Sequence, residues 1–334
     1  MADDAKPFLQ VENLTVRFPV KRGGMFGGKA YLYAVDDISF QLKRGQTLAI
    51  VGESGSGKTT AALACARLVP AHSGKVVLDG QDFLAASDVE LRKARAKVQF
   101  IFQDPYSSLN PRLRAEKIVR EPLDSLQTIP AEKRDEVVQK LFKAVGLRPE
   151  QMRLFPHQFS GGQRQRIGIA RALATQPALI ICDEPVSALD VAVQAQILNL
   201  LRDLQSDLGL SYLFISHDLG VVQHMCDEVA VMYMGKIVEH ASRLDLFNAP
   251  QHPYTKALLS AVPSVDKERR EAQKRILIPG DPPDPIDPPK GCRFANRCPI
   301  AQDICSRSEP ALEVKRRGQG ESGHRAACHR VDVA

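Results

Sequence analysis

The sequence predicts an α/β fold with a mostly parallel sheet at its centre, and three observations carry that reading. Short, largely apolar runs at 46–51, 98–102, 178–182 and 211–215 each end in polar residues. Segments of helical character separate them. The first run leads straight into a glycine-rich loop that opens a helix. A strand buried on both faces reads as a continuous apolar run, and helices on either side of the sheet supply that burial.

Residues 8–18 (FLQVENLTVRF) alternate as a half-buried strand does, and a second strand-like run covers 31–42. These two stand apart from the parallel set and predict an antiparallel β subdomain, with the glycine-rich stretch Lys21–Lys29 as the loop between them. Helix Thr59–Val69 follows the glycine loop. From about 110 to 176 the pattern is helical, with segments near 113–125, 131–146 and 162–175, and predicts an α-helical subdomain inserted into the sheet domain. Helix 191–207 and strands 228–234 and 236–239 complete a domain expected to span 1–262. Past Pro263 the character changes. Residues 267–274 are charged and helical, and Pro279–Lys290 is dense enough in Pro and Asp to be an extended linker. Cysteines then gather in 291–330, so 263–334 reads as a small Cys-rich C-terminal extension.

The 334 residues are 44% hydrophobic and 25% charged, a globular composition. No run approaches the ~20 apolar residues of a membrane span. The start, Met-Ala-Asp-Asp-Ala-Lys, lacks the basic-then-apolar pattern of a secretory signal. The expectation is a chain that stays in the cytosol and meets a membrane only through a partner. The net charge of +6 comes from Lys and Arg spread along the chain. Nucleic-acid binding wants basic residues concentrated on one element among aromatics, so no nucleic-acid partner is expected.

The loop Gly52-Glu53-Ser54-Gly55-Ser56-Gly57-Lys58-Thr59-Thr60 has the chemistry of a phosphate cradle. Gly52, Gly55 and Gly57 permit positive φ, so successive backbone N–H groups can point at phosphate oxygens. The following helix N-terminus adds partial positive charge. Lys58 supplies a point charge to the β- and γ-phosphates, and the Thr59 hydroxyl can ligate Mg²⁺. Asp183 and Glu184 end a buried strand, where adjacent carboxylates are costly without partners. Asp183 is expected to hold Mg²⁺ through water, and Glu184 to orient or deprotonate the attacking water. His217 ends another buried strand and can reach the γ-phosphate side. Alone it reads as a satisfied core histidine, and Gln103 alone as a strand-end amide.

In order and spacing, Gln103, Ser160-Gly161-Gly162-Gln163, Asp183-Glu184, Ser187-Ala188-Leu189-Asp190 and His217 resemble motifs of the ABC-type ATPases. They correspond in turn to the Q-loop, the signature, the Walker B strand with its catalytic glutamate, the D-loop and the H-loop. The resemblance covers roughly 8–260. It implies a P-loop NTPase (RecA-like) core, with ATP as cofactor and Mg²⁺ held by Thr59, Gln103 and Asp183. It also implies a head-to-tail dimer in which the signature meets the γ-phosphate of ATP on the opposite subunit. A helix N-terminus preceded by Ser-Gly-Gly does offer unpaired donors to an anion. Family members stack adenine on an aromatic residue near the second strand, for which Phe18 is the first choice and Tyr31 the second.

Outside the catalytic motifs, 102–111, 155–166 and 252–259 resemble the ATPase subunits of dipeptide/oligopeptide importers, of the second-subunit type. That implies a homologous second ATPase subunit in a heterodimer, two membrane permease subunits and an extracytoplasmic solute-binding protein. It also implies a peripheral place on the cytoplasmic face of the inner membrane. Relatives import nickel or glutathione, so the solute stays open.

Cys65, Cys182 and Cys226 lie in apolar segments and read as small buried hydrophobes. Cys292, Cys298, Cys305 and Cys328 crowd the C-terminal end, which in a reducing compartment suggests metal before disulfides. Their spacing lacks the Cys-x2–4-Cys knuckle of structural Zn²⁺ sites. The importer resemblance implies a 4Fe–4S cluster on these four. Zn²⁺, with His324 and His329 as spare ligands, and plain free thiols remain the alternatives.

Overall fold

The structure, a computed structural model, describes residues 7–21, 29–262, 276–316 and 323–331. Most of the expected glycine-rich loop and the charged segment 267–274 lie outside the described residues. Chain order runs β1 (Leu9–Lys21), β2 (Lys29–Leu42), β3 (Thr47–Val51), α1 (Lys58–Cys65), β4 (Ser73–Leu78), β5 (Gln81–Asp82), α2 (Asp88–Lys97) and β6 (Val98–Ile101). Next come α3 (Ala115–Leu126), α4 (Arg134–Ala144), α5 (Gly161–Leu173), β7 (Leu179–Asp183), α6 (Val191–Leu208) and β8 (Ser211–Ser216). Then follow α7 (Leu219–Met225), β9 (Glu228–Tyr233), β10 (Lys236–Ser242), α8 (Arg243–Asn248) and α9 (Pro253–Ser260). A short helix Asp303–Arg307, β11 (Glu313–Arg316) and β12 (His324–Ala326) lie beyond.

Two compact units are formed. The first holds residues 1–9, 42–46 and 77–215. Its β6, β7 and β8 are parallel, with Val98 beside Leu179 and Leu179 beside Ser211. The strands finish level, Ile101 beside Cys182 and Asp183 beside Ile215, so polar residues after each strand emerge at one edge. β7 and β8 are buried throughout, as continuous apolar runs require. The inserted helices bury one stripe each: Ile118, Val119 and Leu123 on α3, Val138 and Phe142 on α4, and Ile167, Ile169 and Leu173 on α5. Arg166 and Arg171 add polar anchors, donating to the carbonyls of Val145 and Ser108, each at 2.6 Å. The sequence reading missed α2. A reciprocal cap between Ser87 and Glu90 starts that helix, whose mostly polar surface hides its period.

The second unit holds residues 10–41, 47–76 and 216–334. Here β3 runs parallel to β9, and β10 turns back antiparallel to β9. The C-terminal extension continues this sheet: β12 pairs with β10, Glu239 beside Ala326, and β11 pairs with β12. The helix after the glycine loop stops at Cys65 rather than the expected Val69. Arg67 turns left-handed at φ 51°, and Pro70 disfavours helix in the residue before it. β10 outruns its expected end at 239 by three residues, carrying buried Glu239 and His240.

Candidate active site

In the second unit the glycine loop is clamped from both sides. A Cβ on Gly57 would lie 2.0 Å from the Ala34 carbonyl oxygen of β2, and Gly57 holds φ 102°. A Cβ on Gly52 would lie 2.1 Å from the Met232 carbonyl of β9. Only glycine fits either place. Gly57 is also the N-cap of α1 and offers that helix no side-chain cap, which leaves a donor-rich N-terminus facing the loop. Lys58 is 5% exposed, and its Nζ donates to the carbonyls of Gly52 and Glu53, each at 2.9 Å. Ser54, Gly55 and Thr59 are exposed, and Thr60 is half-buried.

Ser56 is buried, and its Oγ has no hydrogen-bond partner among the described residues. A buried orphan hydroxyl calls for an explanation, and a triphosphate oxygen is a suitable one. The cradle, the uncapped helix and the buried ammonium all favour the same anion. The loop fits a nucleoside triphosphate.

The first unit carries the two carboxylates expected to serve hydrolysis. Asp183 closes β7 and is 4% exposed. Glu184 follows in the left-handed region at φ 44°, uncommon for a residue with a side chain and frequent at functional sites. Its N–H donates to the Ile215 carbonyl at 3.0 Å, which fixes that turn. Gln103, two residues past β6, donates from Nε2 to Glu184 Oε2 at 2.9 Å. The level ends of β6 and β7 bring this pair together, and the amide oxygen of Gln103 is the end that suits a cation.

Ser160 caps α5 through a reciprocal box: its Oγ accepts from Gln163 N at 3.3 Å, and its N–H donates to Gln163 Oε1 at 3.0 Å. Ser160 and Gly161 are exposed. Gly162 is buried, and a Cβ there would lie 2.5 Å from a Val193 methyl on α6. Asp190 caps α6, accepting from Val193 N at 3.0 Å. His217 is exposed just past β8. Of the two aromatic residues expected near adenine, Phe18 is 38% exposed, whereas Arg17 covers one face of Tyr31 with its guanidinium 4.3 Å from the ring centroid.

Cys65, Cys182 and Cys226 are buried free thiols. Burial pushes Cys65 up to about 12, which makes it an inert packing residue. Burial chiefly raises Cys292, to about 11, and Cys305, Cys328 and Cys298 add to the rise. Cys298 is raised by burial first, then by Cys328 and Cys305. Backbone N–H groups point at three of these sulfurs, from Phe294 to Cys292, Ile300 to Cys298 and Arg330 to Cys328. Among the described residues, no group of three or more His, Cys, Asp or Glu side chains is arranged to hold a metal ion.

Sequence reasoning missed what holds the glycine loop from below. Tyr254 Oη accepts from Glu53 N at 2.8 Å, and Arg297 donates to Glu53 Oε2 at 3.1 Å. Tyr254 sits in the 252–259 segment, whose resemblance to importer subunits carries no signal of this contact. Arg297 sits beside Cys298, with no local signal of such a role.

Residues 35–187 match the family model described as ABC transporter, and residues 238–305 match that described as oligopeptide/dipeptide transporter, C-terminal region. The ATP-binding cassette MJ0796, solved as a dimer bound to ADP and Pi, is 29% identical with a TM-score of 0.62, covering 70% of this chain and 98% of its own. CbiO1 of Clostridium perfringens is 26% identical with a TM-score of 0.62, over 73% of this chain and 92% of its own. Fold and site together thus define an ABC-type ATPase on a P-loop NTPase core. The chain is 46% identical to the oligopeptide transport ATP-binding protein AppF of Bacillus subtilis (strain 168), over 98% of each. It is also 46% identical to the dipeptide transport ATP-binding protein DppF of Haemophilus influenzae, over 98% of this chain and 97% of that one. The chain belongs to the oligopeptide/dipeptide transporter family of ABC ATP-binding proteins.

Proposed function

We propose that this chain is the ATP-hydrolysing subunit of an importer that moves peptides through separate membrane permeases. The observation that carries this reading is the transporter-type C-terminal match at 238–305, running from β10 into the cysteine segment. Among the described residues no helix is long and apolar enough to cross a membrane. In this reading separate permeases supply the channel. The permeases would dock on the inserted helices beside Gln103, where Phe102 and Tyr106 are 40% and 65% exposed. Docking there sets the subunit on the cytoplasmic face of the inner membrane. A homologous ATPase subunit completes the dimer, and a solute-binding protein outside delivers the cargo. Nickel, glutathione or another small solute is the second reading for the same motor.

In this reading the backbone donors of 52–57 and Lys58 bind the β- and γ-phosphates, and Phe18 stacks on adenine. Thr59, Asp183 and the Gln103 amide oxygen would hold Mg²⁺, which when bound neutralises charge on the transferring phosphoryl group. Glu184, oriented by Gln103, aligns the attacking water and takes its proton, and His217 steadies the γ-phosphate side. The exposed N-terminus of α5, with Ser160 and Gly161, meets the partner subunit's nucleotide. Glu184→Gln should halt hydrolysis and trap a closed pair with ATP, alone or with the homologous subunit. Light scattering that finds no such pair in either mixture would sink the reading.

We also propose that Cys292, Cys298, Cys305 and Cys328 hold a 4Fe–4S cluster. The N–H groups aimed at three sulfurs favour thiolate there, and four thiolates can ligate such a cluster. Protein purified without oxygen should carry about four iron atoms per chain. Zinc in their place would select the alternative, and a metal-free chain would leave plain thiols.

A further inference from the structure

We propose that the cysteine-bearing C-terminal segment is a positioning element for the phosphate loop, acting through Arg297 and Tyr254 on Glu53. Both ends of Glu53 are held: its N–H by the Tyr254 hydroxyl at 2.8 Å, its carboxylate by Arg297 at 3.1 Å. The Glu53 carbonyl is in turn one of the two oxygens on which Lys58 Nζ rests. Displacing Glu53 therefore displaces the loop's own cation.

Neither tether is a loose surface contact. Arg297 is 7% exposed and also donates to Tyr233 Oη at 3.2 Å and to the Pro279 carbonyl at 3.3 Å. A guanidinium spread over three acceptors holds its plane fixed. Three residues earlier, Phe294 is 1% exposed and packs 5.3 Å from the Tyr233 ring and 5.4 Å from that of Tyr254. Arg293 donates to the Met234 carbonyl and to Asp36.

Tyr254 is fastened by the same segment along a second route. Fully buried Glu239 accepts from Gln251 N at 2.7 Å and His252 N at 2.8 Å, and contacts His324 Nε2 of β12 at 2.6 Å. His252 Nδ1 then accepts from Tyr254 N at 3.1 Å. Two routes from one segment, leaving it beside Cys298 and four residues before Cys328, converge on Glu53. Simple docking of a tail would need the aromatic packing but not this double grip.

Full-length Tyr254→Phe, which keeps the ring and loses the acceptor, and Arg297→Gln test the assignment. Each should raise the KM for ATP about fivefold to tenfold with kcat within about twofold, and Arg297→Lys should recover part of the loss. Glu53→Gln in the Arg297→Gln background should add little, because the two residues act as one pair. Unchanged KM in both single variants, with melting curves showing them folded, would overturn the proposal. So would full additivity of Arg297 and Glu53. Tyr254→Phe keeps the test decisive if loss of Arg297 unfolds the segment.

Discussion

The phosphate loop and the signature stretch, both proposed as anion receptors, stand at a helix N-terminus, yet they are finished in opposite ways. The loop has no side-chain cap, a buried lysine and glycines pressed against β2 and β9. Its shape comes from distant residues: Tyr254, Arg297, and Gly235, whose N–H donates to the Ser56 carbonyl at 2.8 Å. The signature exposes Ser160 and Gly161, and four consecutive residues shape it, through the reciprocal cap of Ser160 and Gln163. A receptor filled within its own unit can be preorganised by the core around it. A receptor offered to a partner must keep its form in water, and local capping does that at small cost.

The contrast is most open to attack at Lys58. Lys58→Ala should lower ATP turnover about 10²–10³-fold, roughly 3–4 kcal/mol of transition-state stabilisation. Phosphate release at saturating ATP measures it, and near-normal turnover would break the assignment.

Acid should loosen the loop's supports next. Burial holds His252 down to about 4, with Glu239 opposing the shift and Lys256 adding to it. The unfolded state therefore takes up a proton below pH ~6.5 that the native state refuses until about pH 4. Stability is full above that window and falls through it, by about 3 kcal/mol from this group. Urea midpoints between pH 7.5 and 4.5 should show the loss, and His252→Asn, which keeps an acceptor at the cap, should remove its share.

On the signature side the expected effects are smaller. Gly162→Ala drives a methyl toward Val193 and should cost about 1–3 kcal/mol by overpacking α5 against α6. Ser160→Ala should cost about 1 kcal/mol of helix stability in the lone chain. Denaturant titration reads both. A Ser160→Ala variant with no measurable loss would mean that the signature is not locally held.

Much of this was legible in the residues. The cradle, Asp183-Glu184 and Ser160–Gln163 could be read because each is a contiguous run whose chemistry needs those neighbours. The parallel strands could be read because burial on both faces leaves uninterrupted apolar runs. β10 was cut short at 239 for the converse reason, since Glu239 and His240 break the apolar pattern. The strand continues because Glu239 is answered by Gln251, His252 and His324. Buried charge reads as a strand end until its partners are known. Helix α2 escaped notice because its buried face is only Leu91 and Ala94.

The residues alone showed which groups are expected at phosphate and where two carboxylates stand at a strand end, since these depend on backbone freedom and on neighbours a few residues apart. Only the tertiary structure decided that Gln103 reaches Glu184 from 81 residues away and that Arg297 reaches Glu53 from 244. Such contacts follow from strand register and aromatic packing, which place side chains regardless of their distance along the chain.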